Sequence, residues 1–278
     1  MSAFEYKEYS VLMSVYHKER PEYLKQAIES IQVQSLSTND FVLVCDGPLN
    51  DELDAVIQTK QLEMGENLNV VRLAKNGGLG NALNEGIKHC KNELVARMDS
   101  DDIAYPDRCE KQIAAFNTHS EVSICSGIVE EFTTDPNTVD TKRVPPETNA
   151  EIVEFAKKRN PFNHPCVMYK KSAVEAVGSY QDFYLLEDYY LWLRMLMAGY
   201  QGYNIQEPLL HMRAGSDMYK RRAGWKYAKT QAKLFKFMKD SGFISEAQYL
   251  KSSFIRMASS MAPNWLRKYV FGKVLRKE

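Results

Sequence analysis

The chain has no C-x-x-C pair, no apolar run long enough to span a bilayer, no internal repeat and no low-complexity tract, and each absence removes a class of protein. Its five cysteines, Cys45, Cys90, Cys109, Cys125 and Cys166, stand singly and in odd number. That excludes a zinc ribbon and a disulfide scaffold and points to a reducing compartment. No charged-then-apolar leader opens the sequence, and no run approaches about 18 apolar residues, so a soluble chain or one peripheral to a membrane is expected. Net charge is absent too, since 36 basic and 36 acidic residues cancel. The cancellation hides an asymmetry: residues 220–278 hold fifteen Lys or Arg against three acids, a net +12, and the first 219 residues carry −12. A basic tail of this kind suits an anionic surface. Nucleic acid fits less well, because no recognised binding module accompanies the charge.

What is present is an alternation. "YSVLMSVY" (9–16), "FVLVCD" (41–46), "NVVRL" (69–73) and "ELVARMD" (93–99) read as buried parallel strands. Helices are expected between them: one entered at Pro21 with Leu24, Ala27, Ile28 and Ile31 on one stripe, one over 51–63, and one from Leu79 to His89. Pro106 is expected to open another, with Cys109, Ile113 and Phe116 inward, before a strand over 122–132. Such a pattern predicts an α/β fold with a largely parallel sheet. The polar, Pro-bearing stretch 133–149 reads as a loop or flap. Further helices are expected over 150–158 and 188–197, and strands over 166–170 and 208–213.

Three carboxylates, Asp99, Asp101 and Asp102, follow a strand end directly. Ligands in open α/β sheets sit beyond such ends. Three acids in four residues repel one another unless a cation neutralises them, and hard oxygen donors suit Mg²⁺ or Mn²⁺ shared with a substrate phosphate. The alternative is a solvated turn in which one Asp caps a helix. An EF-hand is excluded, since the Gly and distal Glu are missing at the required spacing. Asp46 ends another strand in "VLVCDGP", and "KNGGLGNALNEGI" (75–87) is a Gly-rich entry to a helix whose free N–H groups favour an anion. Its Gly spacing is wrong for a dinucleotide fingerprint.

Four stretches, "SVLMSVYHKERPEYLKQAIESIQVQS", "VLVCDGP", "KNGGLGNALNEGIKHCKNELVARMDSDDIAYPDR" and "LLEDYYLWLRM", together resemble the inverting glycosyltransferases of family 2, of the GT-A fold, especially bacterial enzymes of capsule and exopolysaccharide assembly. The resemblance covers about residues 8 to 215. It implies a GT-A nucleotide-sugar-binding and catalytic domain over 1–219 and a basic helical extension over 220–278. It also implies a nucleotide side formed by Ser14, Val15, Tyr16, Glu19, Asp46, Asn76, Gly78, Arg97, Asp99 and Asp101. Within that set Ser14, Val15 and Tyr16 cradle the base and Asp46 accepts a hydrogen bond from uracil, so the donor expected is a UDP-sugar. Asp101 and Asp102 would hold Mn²⁺ or Mg²⁺, with His211 as a candidate for the metal shell. Cys45 and Pro48 stand where family members often carry Asp and Ser.

Asp188 in "LLEDYYLWLRM" matches the family's catalytic base, with Glu187 the runner-up by adjacency. Read without the resemblance, Asp188 is well placed as a helix N-cap. His164 in "NPFNHPCVMYKK" lines the acceptor side or packs in a turn. Arg213, Arg221 and Arg222 close over a diphosphate or form a solvated basic loop. The acceptor implied is a saccharide, possible carriers including a polyprenyl diphosphate. From Trp225 onward, apolar residues at 225, 228, 232, 235 and 238 with interleaved lysines predict an amphipathic helix, and "NWLRKYVFGKVLRKE" (264–278) mixes aromatics with five cations. This tail is expected on an anionic membrane surface at the cytoplasmic face, or packed on the domain, or at an oligomer contact. Two other functions compete: a sugar nucleotidyltransferase, whose Gly-rich, Arg-bearing loop after the first strand is missing here, and a non-catalytic sugar-nucleotide-binding subunit.

Overall fold

Alternation along the buried strands decides the layering. The computed structural model describes residues 5–214 and 224–261. In it β1 (Ser10–Val15), β2 (Asp40–Cys45), β3 (Leu68–Arg72) and β4 (Leu94–Asp99) pair in parallel in the order β3-β2-β1-β4. Val11, Met13, Phe41, Leu43, Ala96 and Met98 point into one layer, whereas Leu12, Val42, Val44 and Val95 point into the other. Helices α1 (Pro21–Gln32), α2 (Asp51–Met64) and α4 (Arg108–Thr118) cover the first layer through Leu24, Ile57 and Ile113. Helices α3 (Leu79–His89), α5 (Asn149–Ala156), α6 (Lys171–Ala176) and α7 (Glu187–Met197) cover the second through Leu83, Ile152, Val174 and Trp192. Both faces are therefore dry, which is why these strands read as nearly continuous apolar runs.

Beyond β4 the sheet changes direction. β8 (Met168–Lys170) runs antiparallel to β4 and to β6 (Val122–Phe132), and β6 pairs in parallel with the long β9 (Gln201–Arg213). The short β5 (Ile103–Ala104) pairs antiparallel with the end of β9, so the chain just after the acidic cluster is stitched to that strand. Register shifts between β6 and β9 near Gly127 and Ile128 bend the pair.

Several expectations need correction. Helix α4 begins at Arg108, not Pro106, because the Pro106 carbonyl accepts the Ser35 amide at 2.7 Å and Arg108 N closes a turn onto Tyr105. The stretch 133–149 is not wholly a loop: β7 (Thr141–Arg143) pairs with β6, and Thr141 and Arg143 both hydrogen-bond Glu131. β9 starts at Gln201 rather than 208, with Pro208 tolerated where the register shifts. The strand expected at 166 starts only at Met168, after a 3-10 turn over His164–Cys166.

The basic helix forms as α8 (Trp225–Asp240), followed by α9 (Glu246–Met261). Its buried stripe differs from the expected one. Tyr227, Ala228, Gln231, Leu234, Phe235 and Met238 are inside, while Trp225 is 57% exposed and Ala232 is exposed. The offset arises because α8 packs on α7, with Phe237 edge-on to Tyr190 at 4.9 Å, and sends Leu234, Phe235 and Met238 into the second layer. Among the described residues no helix is long and apolar enough to cross a membrane. Arg221, Arg222 and the segment 264–278 lie outside the described residues.

Candidate active site

Strand order places a crevice between β1 and β4, since the chain leaves β1 toward β2 on one side and reaches β4 on the other. Ser14 pairs with Asp99 across that division. One ligand oxygen from each of Asp99, Asp101 and Asp102 lies within 4.8 Å of the others. Asp102 is 1% exposed; its Oδ1 accepts the Arg213 amide at 2.8 Å, and its Oδ2 has no partner among the described residues. Burial and the charges of Asp99 and Glu19 push the Asp101 carboxyl up to about 7. Burial, then Asp101 and Asp99, push Asp102 well above its ordinary range. Such a cluster binds protons for want of another cation.

Arg97 supplies only part of the compensation. Its guanidinium is 1% exposed and Nη2 donates to Asp99, but Nε and Nη1 have no partner among the described residues. Its position two residues before Asp99 on one strand puts both side chains on the same face of the sheet. Glu19 joins the cluster from the loop after β1, its Oε2 accepting Ser100 Oγ at 2.7 Å.

At the end of β2 the anion in the Gly-rich turn is the protein's own. Asp46 Oδ1 accepts the Gly77 amide at 2.7 Å and Oδ2 the Gly78 amide at 3.0 Å, while Asn76 Nδ2 donates to the Asp46 carbonyl. The free N–H groups expected to hold a substrate anion are thus partly committed to a buried carboxylate. Gly47 has φ +87°, and a Cβ there would stand 2.6 Å from Asn76 N. Only glycine lets the two turns approach this closely.

The third edge is the start of α7. Leu186 occupies the N-cap position, so Asp188 is not the cap; its Oδ2 accepts Asn160 Nδ2 at 2.7 Å. Burial and the Asp188 charge push Glu187 up to about 7. A Cβ on Gly80 would lie 3.8 Å from Glu187 Cβ, which sets the first turns of α3 and α7 side by side. Asn84 of α3 clamps Tyr180 through both its N–H and its carbonyl, and Tyr180 Oη meets His164 Nε2 at 3.0 Å. Burial and the Arg97 charge hold His164 well below the ordinary imidazole range. The Arg97 charge is therefore felt by Asp99 and Asp102 on one side and by Glu187, Tyr180 and His164 on the other. Asn160, Asn84 and Tyr180 escaped the sequence reading, for nothing in their spacing marks them.

Other expected residues are placed unequally. Val15 is buried with its side chain in the core and its carbonyl accepts the Asp46 amide at 2.8 Å, whereas Tyr16 is 38% exposed. The Arg213 guanidinium is held between the rings of Tyr23, at 3.8 Å, and Phe132, at 4.6 Å, and donates to the Asp101 carbonyl and to Gln26. It braces the acidic loop. His211 is not within the group of three acids: its ring stacks on Tyr105 at 4.3 Å and its Nδ1 lies 3.8 Å from Glu130.

Comparison with known proteins bears on this geometry. Over 268 residues the chain is 40% identical to the amylovoran biosynthesis glycosyltransferase AmsE of Erwinia amylovora, covering 95% of this chain and 98% of that one. It is 36% identical over 270 residues to an Escherichia coli UDP-Gal:alpha-D-GlcNAc-diphosphoundecaprenol beta-1,3-galactosyltransferase, with 97% of each chain covered. The fold is that of S. aureus TarS 1-349 solved with UDP-GlcNAc (TM-score 0.67, 18% identity, 96% of this chain and 76% of that one). It is also that of the Pyrobaculum calidifontis mannosyltransferase PcManGT solved with GDP-Man and Mn²⁺ (TM-score 0.61, 14% identity, 98% and 81%). The curled α/β sheet flanked by helices is thus the GT-A fold. Residues 10–178, which contain the β1/β4 crevice and its acids, match the model described as Glycosyl transferase family 2, and with relatives this similar over almost the whole length the chain belongs to that family of glycosyltransferases.

Proposed function

We propose that the enzyme transfers a hexosyl group, with inversion, from a UDP-sugar to a hydroxyl of a lipid-linked or growing polysaccharide acceptor, as in capsule or exopolysaccharide assembly. The observation that carries this is the convergence of three acids at the end of β4 with Glu187 and Asp188 at the start of α7, bridged by the Arg97 charge. The UDP assignment draws support from the E. coli relative, named for UDP-Gal, and from TarS with UDP-GlcNAc. The acceptor class draws support from the same relative, named for a diphosphoundecaprenol-linked sugar, and from AmsE, named for amylovoran biosynthesis. In this reading residues 1–219 carry the donor and catalytic sites, and 220–278 form the basic helical extension, at the cytoplasmic face of the membrane.

The three Asp side chains suit a divalent cation. They are hard oxygen donors close together, Asp102 has a buried oxygen without a partner among the described residues, and burial with neighbouring acids raises Asp101 and Asp102 despite the Arg97 charge. Mn²⁺ or Mg²⁺ held by Asp101 and Asp102, with Asp99 in support, would neutralise charge on the departing nucleotide diphosphate. The chain's own residues do the rest. Asp188 takes the proton from the acceptor hydroxyl as that oxygen attacks the anomeric carbon from the face opposite the nucleotide. Asn160 Nδ2, donating to Asp188 Oδ2 at 2.7 Å, holds the carboxylate in place. A single displacement needs only one carboxylate beside the anomeric carbon, so no covalent sugar–enzyme species forms.

The test is nucleotide release from UDP-, GDP- and dTDP-sugars, with and without chelator. Release from a UDP-sugar that chelation abolishes is expected. Release confined to a non-uridine donor, or indifferent to chelation, overturns the donor or the metal assignment respectively.

A further inference from the structure

The face of α8 opposite its buried stripe carries a row of cations. Lys226, Lys229, Lys233 and Lys236 are all exposed. A helix advances about 100° per residue, which gathers these four within about 80° of arc, facing away from the buried Leu234, Phe235 and Met238. The only acid of α8, Asp240, ends the row and pairs with Lys236 at 2.5 Å. The row also borders the active site. Lys226 lies 3.7 Å over the Tyr184 ring and Lys233 4.8 Å over Phe183, four and five residues before Asp188.

We infer that this face docks on the anionic headgroups of a lipid leaflet, holding the start of α7 toward acceptors carried in that leaflet. The inference rests on the lipid-linked acceptor proposed above and adds which surface meets the lipid. Because the apolar side of α8 is spent inside the protein, attraction must come from charge, and four exposed lysines, with Asp240 opposing only Lys236, meet a negative plane from a convex helix better than they would a groove-bound ligand. Tyr184 and Trp225, 39% and 57% exposed, flank the row with the amphipathic rings that favour a headgroup layer. The sequence beyond 261 continues the same sign with Arg267, Lys268, Lys273, Arg276 and Lys277.

The experiment uses the full chain and co-sedimentation with vesicles about one-third phosphatidylglycerol, against pure phosphatidylcholine vesicles. Replacing the four lysines by Gln should weaken partitioning to the anionic vesicles by roughly a hundredfold. Replacing them by Arg should preserve it, which separates charge from misfolding. Turnover on a short, water-soluble acceptor should stay within about twofold of wild type for both variants, since none of the four touches the reacting groups. Unchanged vesicle binding by the Gln variant overturns the inference. So does a Gln-induced loss of self-association without loss of lipid binding, which would make the face a contact between copies. If wild type fails on every soluble acceptor and UDP-sugar, the proposed activity itself fails, whatever the vesicles show.

Discussion

Asn in place of Asp101 should make the metal-free protein more stable while stopping its chemistry. The Asp101 carboxyl rises from an ordinary 3.8 to about 7, first through burial and then through Asp99 and Glu19. Between about pH 4 and 7 the folded chain keeps a proton that the unfolded chain has lost, so the stability present below that range is lost as pH climbs through it. Three units at about 1.4 kcal/mol each set an upper limit of about 4 kcal/mol. Asp101 is partly exposed, and solvent screening leaves roughly half, about 2 kcal/mol. At about 2–4 °C per kcal/mol for a domain of this size, Asp101→Asn should melt about 4–8 °C above wild type at pH 8. Near pH 4 the difference should vanish. Thermal melts in chelator across this pH range make the measurement, with Mn²⁺ added in a second series. The ion should raise the wild-type Tm at pH 8 by about as much, and the variant's far less. A variant that melts lower at pH 8, or by an amount independent of pH, would refute the reasoning.

Asp188→Asn should lower kcat roughly 10²- to 10⁴-fold while calorimetric UDP binding is unchanged, and full turnover would dismiss Asp188 as the base. Asn160→Ala, which removes the hydrogen bond from Asn160 Nδ2 to the Asp188 carboxylate, should cost about tenfold in kcat with the donor KM steady. Gly47→Ala should destabilise by at least about 2 kcal/mol in urea, because its φ is +87° and the new methyl meets Asn76 N at 2.6 Å. Met238→Ala should cost about 2–4 kcal/mol and Trp225→Ala less than about 0.5; the reverse order would contradict the packing of α8.

The alternation of strands and helices through β4, and the three acids that end β4, were legible because both are local. An apolar run buried on both faces needs no knowledge of its partners, and a carboxylate cluster at the end of such a run lands at the sheet edge wherever the sheet is. Element types survived in most places and boundaries shifted where a distant contact intervened, as when Ser35 captured the Pro106 carbonyl. Polar β7 was invisible because its stability lies in Glu131 of another strand.

Pairings over long separations belong to tertiary structure alone. Asp46 closes on Gly77 and Gly78, Asn160 on Asp188, and Asn84 on Tyr180, across 28 to 96 residues. The helix period announces that α8 is amphipathic, but which arc turns inward depends on where α7 presents Tyr190 and the core opens to receive Leu234 and Met238. Composition and order thus determined the layers and the acidic edge. Register and packing decided which side chains hold that edge in working geometry, because a hydrogen bond depends on distance in space and not on spacing along the chain.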